Sequence, residues 1–174
     1  LVHVYTDGSV AVSTGAVEMG QGVNTKMAQV AAKVFGLSID DIKVHTTNTL
    51  RIANTSPTAA SAAADLNGKA TQIACETIRK RLLEVAVPLV EASSVDELSI
   101  ENGFVYRNRE RTSLDWKALV MEAHLRRVNL SEHSHYATPG IGFDWTTAKG
   151  HPFAYHVYGT AFVGVTVDCL RGRY

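Results

Sequence analysis

The sequence contains few of the residues that bind metals or build a covalent framework. Only two cysteines occur among 174 residues, Cys75 and Cys169, and they lack the CxxC spacing of thiolate-bound zinc or iron–sulfur sites. Two cysteines are also a weak basis for a disulfide scaffold. We therefore expect free thiols, a reducing cytoplasmic compartment, and no thiolate-bound metal.

The chain also lacks an excess of charge of either sign. Seventeen basic residues balance seventeen acidic ones, so the formal net charge is +0, which argues against a nucleic-acid partner. The sequence contains no run of about 18 apolar residues, so no membrane-spanning helix is predicted. It also contains no signal-peptide pattern. Because the chain begins at Leu1 as an immediate strand, we expect it to belong to a larger protein.

The hydrophobic periodicity predicts an α+β fold. The first part reads as a hairpin around Asp7-Gly8, an amphipathic helix from an Asn24 cap to Gly36, and the strand "DIKVHTT". A long helix follows from about Ala59 to about Val85, and we expect Pro88 to stop it.

The second part predicts a hairpin at Asn102-Gly103 and a helix capped by Thr112 or Ser113. A loop from about 133 to 152 then leads into a long strand, "AYHVYGTAFVGVTVDCL". We expect mixed, largely antiparallel sheets with amphipathic helices on one face, as an incomplete part of a larger protein. We expect the chain to divide into two parts, residues 1–92 and residues 93–174.

Met19-Gly20-Gln21-Gly22 is the first candidate binding segment. The flanking glycines let a backbone approach a ligand closely, and the carboxamide offers one acceptor and two donors. The alternative is an ordinary tight turn between strand and helix. It is not a phosphate loop, because the Lys and Ser/Thr of that motif are missing.

The second candidate lies in "NTSPTAASAAADLNG", in which hardly a charge or bulky side chain occurs before Asp65. Thr58, Ala59, Ala60 and Ser61 would occupy the first turn of the long helix, where free N–H groups favour an anionic or oxo ligand. The alternative is a helix packed tightly on a sheet, which also selects small residues.

Other polar residues carry less information. His133 and His135 could be metal ligands, but a solvated loop is the favoured interpretation. Glu18 could be a base, although a capping role beside the turn is favoured. No Ser-His-Asp order and no HExxH motif occurs.

Three segments together resemble a known family. "VEMGQGVNTKMAQVAA", "NTSPTAASAAADLNGKATQIACETIRKRL" and "YATPGIGFDWTTAKGHPFAYHVYGTAFVGVTVDCL" are similar to the molybdenum-binding region of xanthine dehydrogenases, in the molybdenum hydroxylase family that includes aldehyde oxidases. The resemblance follows nearly the whole chain and is weakest between about 84 and 127. It implies purine hydroxylation with oxygen from water, at a molybdenum held by the dithiolene sulfurs of molybdopterin.

The resemblance also implies roles for particular residues. Cofactor contacts would come from Met19, Gly20, Gln21, Thr58, Ala59, Ala60 and Ser61. Ala59 and Ala60 would line the substrate, and the backbone of Ala60 would contact the molybdenum centre. Relatives often carry a serine where this chain has Ala63, which would remove one hydrogen bond.

Within the family, the alanine pair favours a purine over the aldehydes or other N-heterocycles of aldehyde oxidases, which tend to carry glycines there. The resemblance implies that the catalytic glutamate, the purine-gripping residues, the iron–sulfur clusters and FAD lie outside these 174 residues, so no catalytic residue is assigned here. The intact enzyme would be an oligomer. The other alternative is a cofactor-free assembly module.

Overall fold

The computed structural model describes residues 1–52, 55, 57–59 and 62–174. Contacts divide the chain into two compact units, Leu1–Ala137 and Thr138–Tyr174. Helices and antiparallel sheets occur together, so the α+β prediction is confirmed. In the part of the chain that is described, no helix is both long enough and apolar enough to cross a membrane.

A four-stranded sheet begins the first unit. Its strands are β1 (Val2–Val4), β2 (Val10–Val12), β3 (Ile42–Val44) and β7 (Ser131–Glu132), in the order β3-β2-β1-β7. β1 pairs antiparallel with β2 and β7, whereas β2 pairs parallel with β3. The predicted hairpin around Asp7-Gly8 is confirmed, with Val2 opposite Val12.

Two helices cover this sheet. α1 (Val23–Phe35) ends at Gly36, whose φ of 65° and N–H bond to the Ala32 carbonyl confirm the predicted left-handed end. α2 spans Ala62–Leu89. Thr58 and Ala59, which were predicted to lie in its first turn, are outside the helix, and Ala60 and Ser61 lie outside the described residues. The prediction that Pro88 stops the helix was wrong by one residue, because the fixed φ of proline is compatible with a helix and α2 ends at Leu89.

A three-stranded antiparallel sheet and a third helix complete the first unit. Its strands are β4 (Leu98–Glu101), β5 (Phe104–Arg107) and β6 (Glu110–Asp115), and α3 spans Trp116–Leu125. The Asn102-Gly103 hairpin is confirmed, and both residues have positive φ. The predicted cap at Thr112 or Ser113 was wrong: both lie in β6, and Asp115 caps the helix by accepting the Ala118 N–H at 2.8 Å.

The core joins these elements through long-range contacts. Phe35 of α1 and Trp116 of α3 pack with ring centroids 5.3 Å apart. The buried indole N–H of Trp116 donates to the Gly8 carbonyl at 2.7 Å. Ile78 and Leu82 of α2 are fully buried, so α2 contributes to this core.

The second unit contains little regular structure. It has a two-stranded hairpin, β8 (Gly142–Asp144) and β9 (Lys149–His151), and an isolated bridge between Asp168 and Arg173. The long strand predicted for 154–170 was wrong, because residues 155–167 form no strand. Alternating side chains suit a strand, but a strand also needs a partner for its N–H and C=O groups, and no described segment pairs with this one.

Candidate functional site

The first candidate segment forms an exposed turn in front of α1. Gly20 and Gly22 have φ values of 97° and 76°, in the region that side chains rarely adopt. A Cβ added at either position would meet nothing within 4 Å. The backbone conformation therefore requires glycine here, and the space over both residues is open.

Glu18 holds this turn together. Its Oε1 accepts the N–H groups of Gly20 and Gly22, each at 2.9 Å, and its Oε2 accepts the N–H of Asn24 at 3.0 Å. The bonds from Asn24 and Gly22 contribute most to lowering the pKa of the Glu18 carboxyl below its usual range. The predicted Asn24 cap was wrong, since Asn24 lies inside α1 and Glu18 bonds its amide. The geometry fits the capping interpretation of Glu18.

The Gln21 carboxamide is engaged within the same turn. Its Oε1 accepts the Met19 N–H at 2.6 Å, and its Nε2 donates to the Val17 carbonyl at 2.8 Å. A carboxamide nitrogen carries two hydrogens, so one N–H of the Gln21 side chain takes no part in these two bonds. The side chain of Met19 is 68% exposed.

One hydrogen bond connects the two candidate segments. The Thr58 hydroxyl accepts the N–H of Val17 at 2.9 Å, although 41 residues separate them. Thr58 is half-buried, whereas Pro57 and Ala59 are exposed. The segment of small residues thus lies directly beside the glutamine turn. Two of its predicted site residues, Ala60 and Ser61, lie outside the described residues.

Contacts just before the turn support this arrangement, although no pattern in the sequence indicates them. The Thr47 hydroxyl donates to the carbonyls of Thr14 and Ala16 at 3.0 and 2.6 Å. A Cβ on Gly15 would lie 2.7 Å from Oγ1 of Thr55. The close approach of Thr55 to a residue without a side chain, with the bonds of Thr47 and Thr58, brings these three threonines against residues 14–17.

Neither of two clefts in the described part is formed by the candidate segments. One, of about 540 Å³, is lined by residues that include Asp7, Lys43 and Trp116. The other, of about 350 Å³, is lined by residues that include Arg107 and Arg111. The described residues of the candidate segments include Gly20, Gly22 and Ala59, which lie on an open surface.

Among the described residues, no group of three or more His, Cys, Asp or Glu side chains could hold a metal ion. Burial raises the pKa of the Cys75 thiol to about 12, so this cysteine is a poor thiolate ligand. His133 and His135 are exposed. A metal that brings its own sulfur ligands needs no such group. The bare backbone at Gly20 and Gly22, with the exposed Ala59, fits a bulky cofactor better than a bare ion.

Comparison with known proteins identifies the family of the chain. Residues 1–174 match the family described as "Molybdopterin cofactor-binding domain". The chain is 41% identical over 174 residues to xanthine dehydrogenase of Oryza sativa subsp. japonica, and 42% identical over 172 residues to xanthine dehydrogenase/oxidase of Mus musculus. These alignments cover 100% and 99% of the chain. The chain spans only 11% of the length of each of these relatives.

Two solved structures are similar in fold. Quinoline 2-oxidoreductase of Pseudomonas putida 86 matches with a TM-score of 0.64 and 26% identity, over 72% of this chain and 16% of that one. The reconstituted CO dehydrogenase of Oligotropha carboxidovorans matches with a TM-score of 0.67 and 21% identity, over 79% of this chain and 18% of that one, which supports the fold alone. With the family match along its whole length, the chain belongs to the molybdopterin cofactor-binding domain family.

Proposed function

We propose that this chain is part of a molybdenum hydroxylase that converts hypoxanthine and xanthine to urate with oxygen from water. The similarity along the whole chain to xanthine dehydrogenases of rice and mouse supports a purine substrate. The bound molybdopterin supplies the two-electron oxidation, and iron–sulfur clusters and FAD elsewhere in the enzyme or its subunits receive the electrons.

The hydrogen bond between Thr58 and Val17 is the observation that best supports a shared pocket wall. It brings the glutamine turn and the segment of small residues onto one open surface. A cofactor laid on that surface would meet the bare backbone of Gly20 and Gly22 and the small side chain of Ala59. The described residues form one side of such a pocket, and other parts of the enzyme would form the rest.

Each predicted site residue has a place in this proposal. The pterin would be contacted by Met19, Gly20 and Gln21, and the molybdenum end would be lined by Thr58, Ala59, Ala60 and Ser61. Ala59 and Ala60 would also face the planar purine, and the backbone of Ala60 would meet the molybdenum centre. The short side chains leave room for a flat ring.

The direct test changes the size of the proposed wall in the complete enzyme. We expect Ala60→Phe to lower both molybdopterin content and xanthine turnover, the latter about 100-fold, because small displacements at a reacting centre have effects of that order. Ala118→Phe, at an exposed position of α3, is the matched control and should change neither. Unchanged cofactor content and turnover in the Ala60 variant would show that the site is misplaced.

The chain alone should be inactive. It supplies only part of the cofactor's surroundings, and we propose that the catalytic glutamate lies elsewhere in the enzyme. Purified residues 1–174 should therefore form no urate from xanthine. Measurable urate formation by the isolated chain would overturn this part of the proposal.

A second candidate substrate class is aldehydes or other N-heterocycles. The structural similarity to quinoline 2-oxidoreductase is the observation that supports this substrate class. Product analysis of the complete enzyme with xanthine, quinoline and benzaldehyde separates the two classes, and we expect xanthine to be preferred. A cofactor-free assembly module, the remaining alternative, predicts no molybdenum by elemental analysis of the intact protein. The division of the chain at residue 92 and an oligomeric intact enzyme stay predictions.

A further inference from the structure

The glutamine turn contains its own anion. The Glu18 carboxylate takes the N–H groups of Gly20, Gly22 and Asn24, and the Gln21 oxygen takes that of Met19. Backbone N–H groups in front of a helix ordinarily attract an anionic ligand. Here two side chains from the same turn already accept four of these N–H groups.

This arrangement determines which groups of the turn remain for a ligand. With these amides directed at Glu18 and Gln21, the groups of the turn outside these bonds include backbone carbonyl oxygens and one N–H of the Gln21 carboxamide. Carbonyl oxygens accept hydrogen bonds, and the carboxamide N–H donates one. These groups suit a ligand edge that carries N–H donors and one acceptor, such as a reduced pterin ring.

We propose that Glu18 is a positioning residue, which holds the turn from Met19 to Gly22 in the shape that presents Gln21 to the donor-rich edge of the cofactor. The proposal rests on the proposed function for its ligand. The length of the Glu side chain matters, because one carboxylate reaches amides two, four and six residues further along the chain.

The experiment compares Glu18→Ala, Glu18→Gln and Asp7→Ala in the complete enzyme. Asp7 is the matched control: its carboxylate also accepts a turn amide, that of Ser9 at 2.9 Å, but it lies in the β1–β2 turn. The measurements are the molybdopterin content per chain, the rate of cofactor loss on dilution, the thermal midpoint, and hydrogen exchange at the amides of Gly20, Gly22 and Asn24.

We expect Glu18→Ala to speed exchange at all three amides and to lower cofactor content several-fold. Glu18→Gln keeps an oxygen acceptor and should restore most of the content. Asp7→Ala should lower the thermal midpoint about as much as Glu18→Ala, yet retain the cofactor. A purely structural role for Glu18 would instead change the thermal midpoint and leave cofactor retention as in the wild type.

The outcomes separate this proposal from the proposed function. Molybdopterin bound equally by the wild type and the Glu18→Ala variant would overturn the positioning role alone. Unchanged amide exchange in that variant would do the same. A wild-type enzyme without molybdopterin would overturn both proposals.

Discussion

The two compact units of the chain differ in what their apolar residues contact. In the first unit, Val2 and Val4 alternate along a paired strand and are 0% and 5% exposed. In the second unit, Val163 and Val165 follow the same alternation and are 81% and 68% exposed. The sequence pattern is the same in both places. The difference is a partner strand. Among the described residues, Val2 and Val4 have one, and Val163 and Val165 do not.

The largest expected difference between the units is in packing. Phe35→Ala should lower the free energy of unfolding by about 3–5 kcal/mol, because it empties a fully buried position against Trp116. Phe162→Ala removes the same atoms from a residue that is 96% exposed. This variant should change the free energy of unfolding by less than about 0.5 kcal/mol. Urea unfolding of the chain, followed by circular dichroism, measures both. Equal effects would mean that the second unit contains a core of its own.

An intermediate difference between the two units is expected in what their ion pairs contribute to stability. Arg81 of α2 binds Glu132 and donates to the carbonyls of Asn129 and Ser131, which fastens β7 to the helix. Arg81→Ala should lower the unfolding free energy by about 1–2 kcal/mol, because several hydrogen bonds to a charged group are lost.

Arg171 in the second unit is the matched control. Its pairing with Asp168, at 3.4 Å, joins largely exposed side chains three residues apart. Arg171→Ala should have an effect near zero, as exposed pairs usually do. A loss in the control as large as that at Arg81 would contradict the proposed difference between the units.

The smallest expected difference appears only in acid. Glu18 in the first unit has a lowered pKa because of backbone N–H groups, and Asp144 in the second has one chiefly because of the Thr147 hydroxyl and the Thr146 amide. A carboxyl with a lowered folded-state pKa stabilises the protein above its unfolded-state pKa, and this stabilisation is lost as pH falls through the folded-state pKa.

Glu18→Gln should therefore flatten the decline in stability of the first unit below about pH 4.3, the ordinary glutamate pKa. Asp144→Asn should leave that decline unchanged. Thermal midpoints measured from pH 7 down to acid compare the two variants with the wild type. An effect of Asp144 as large as that of Glu18 would show that the acid response does not depend on the turn before α1.

Local signals in the sequence predicted much of the fold. Gly36 ends α1 and Asn102-Gly103 forms a hairpin because these turns depend on backbone conformation, which residue type largely determines. The cap of α1 was predictable only in part: a capping role was expected for Glu18, but Asn24 was expected to be the N-cap and lies inside the helix. The stabilising carboxylate belongs to Glu18, which lies outside the helix and reaches its amides only because Gly20 and Gly22 bend the chain back.

The candidate site was predictable only in pieces. Two segments with unusual composition could be recognised, but nothing in the sequence showed that Thr58 would accept a hydrogen bond from Val17. That contact joins residues 41 positions apart, so it depends on how distant parts of the chain fold together. The engagement of Gln21 within its own turn was likewise hidden, because a glutamine between glycines looks equally free to bind a ligand.

The chain has two tryptophans, and one lies in each unit. Trp116 is 5% exposed and donates its indole N–H to Gly8, whereas Trp145 is 87% exposed. An indole in an apolar interior fluoresces at shorter wavelength than one in water. The emission of Trp116 should therefore shift to the red when the first unit opens, while that of Trp145 is red-shifted throughout. Anything that later covers the second unit should be visible as a blue shift of Trp145 alone.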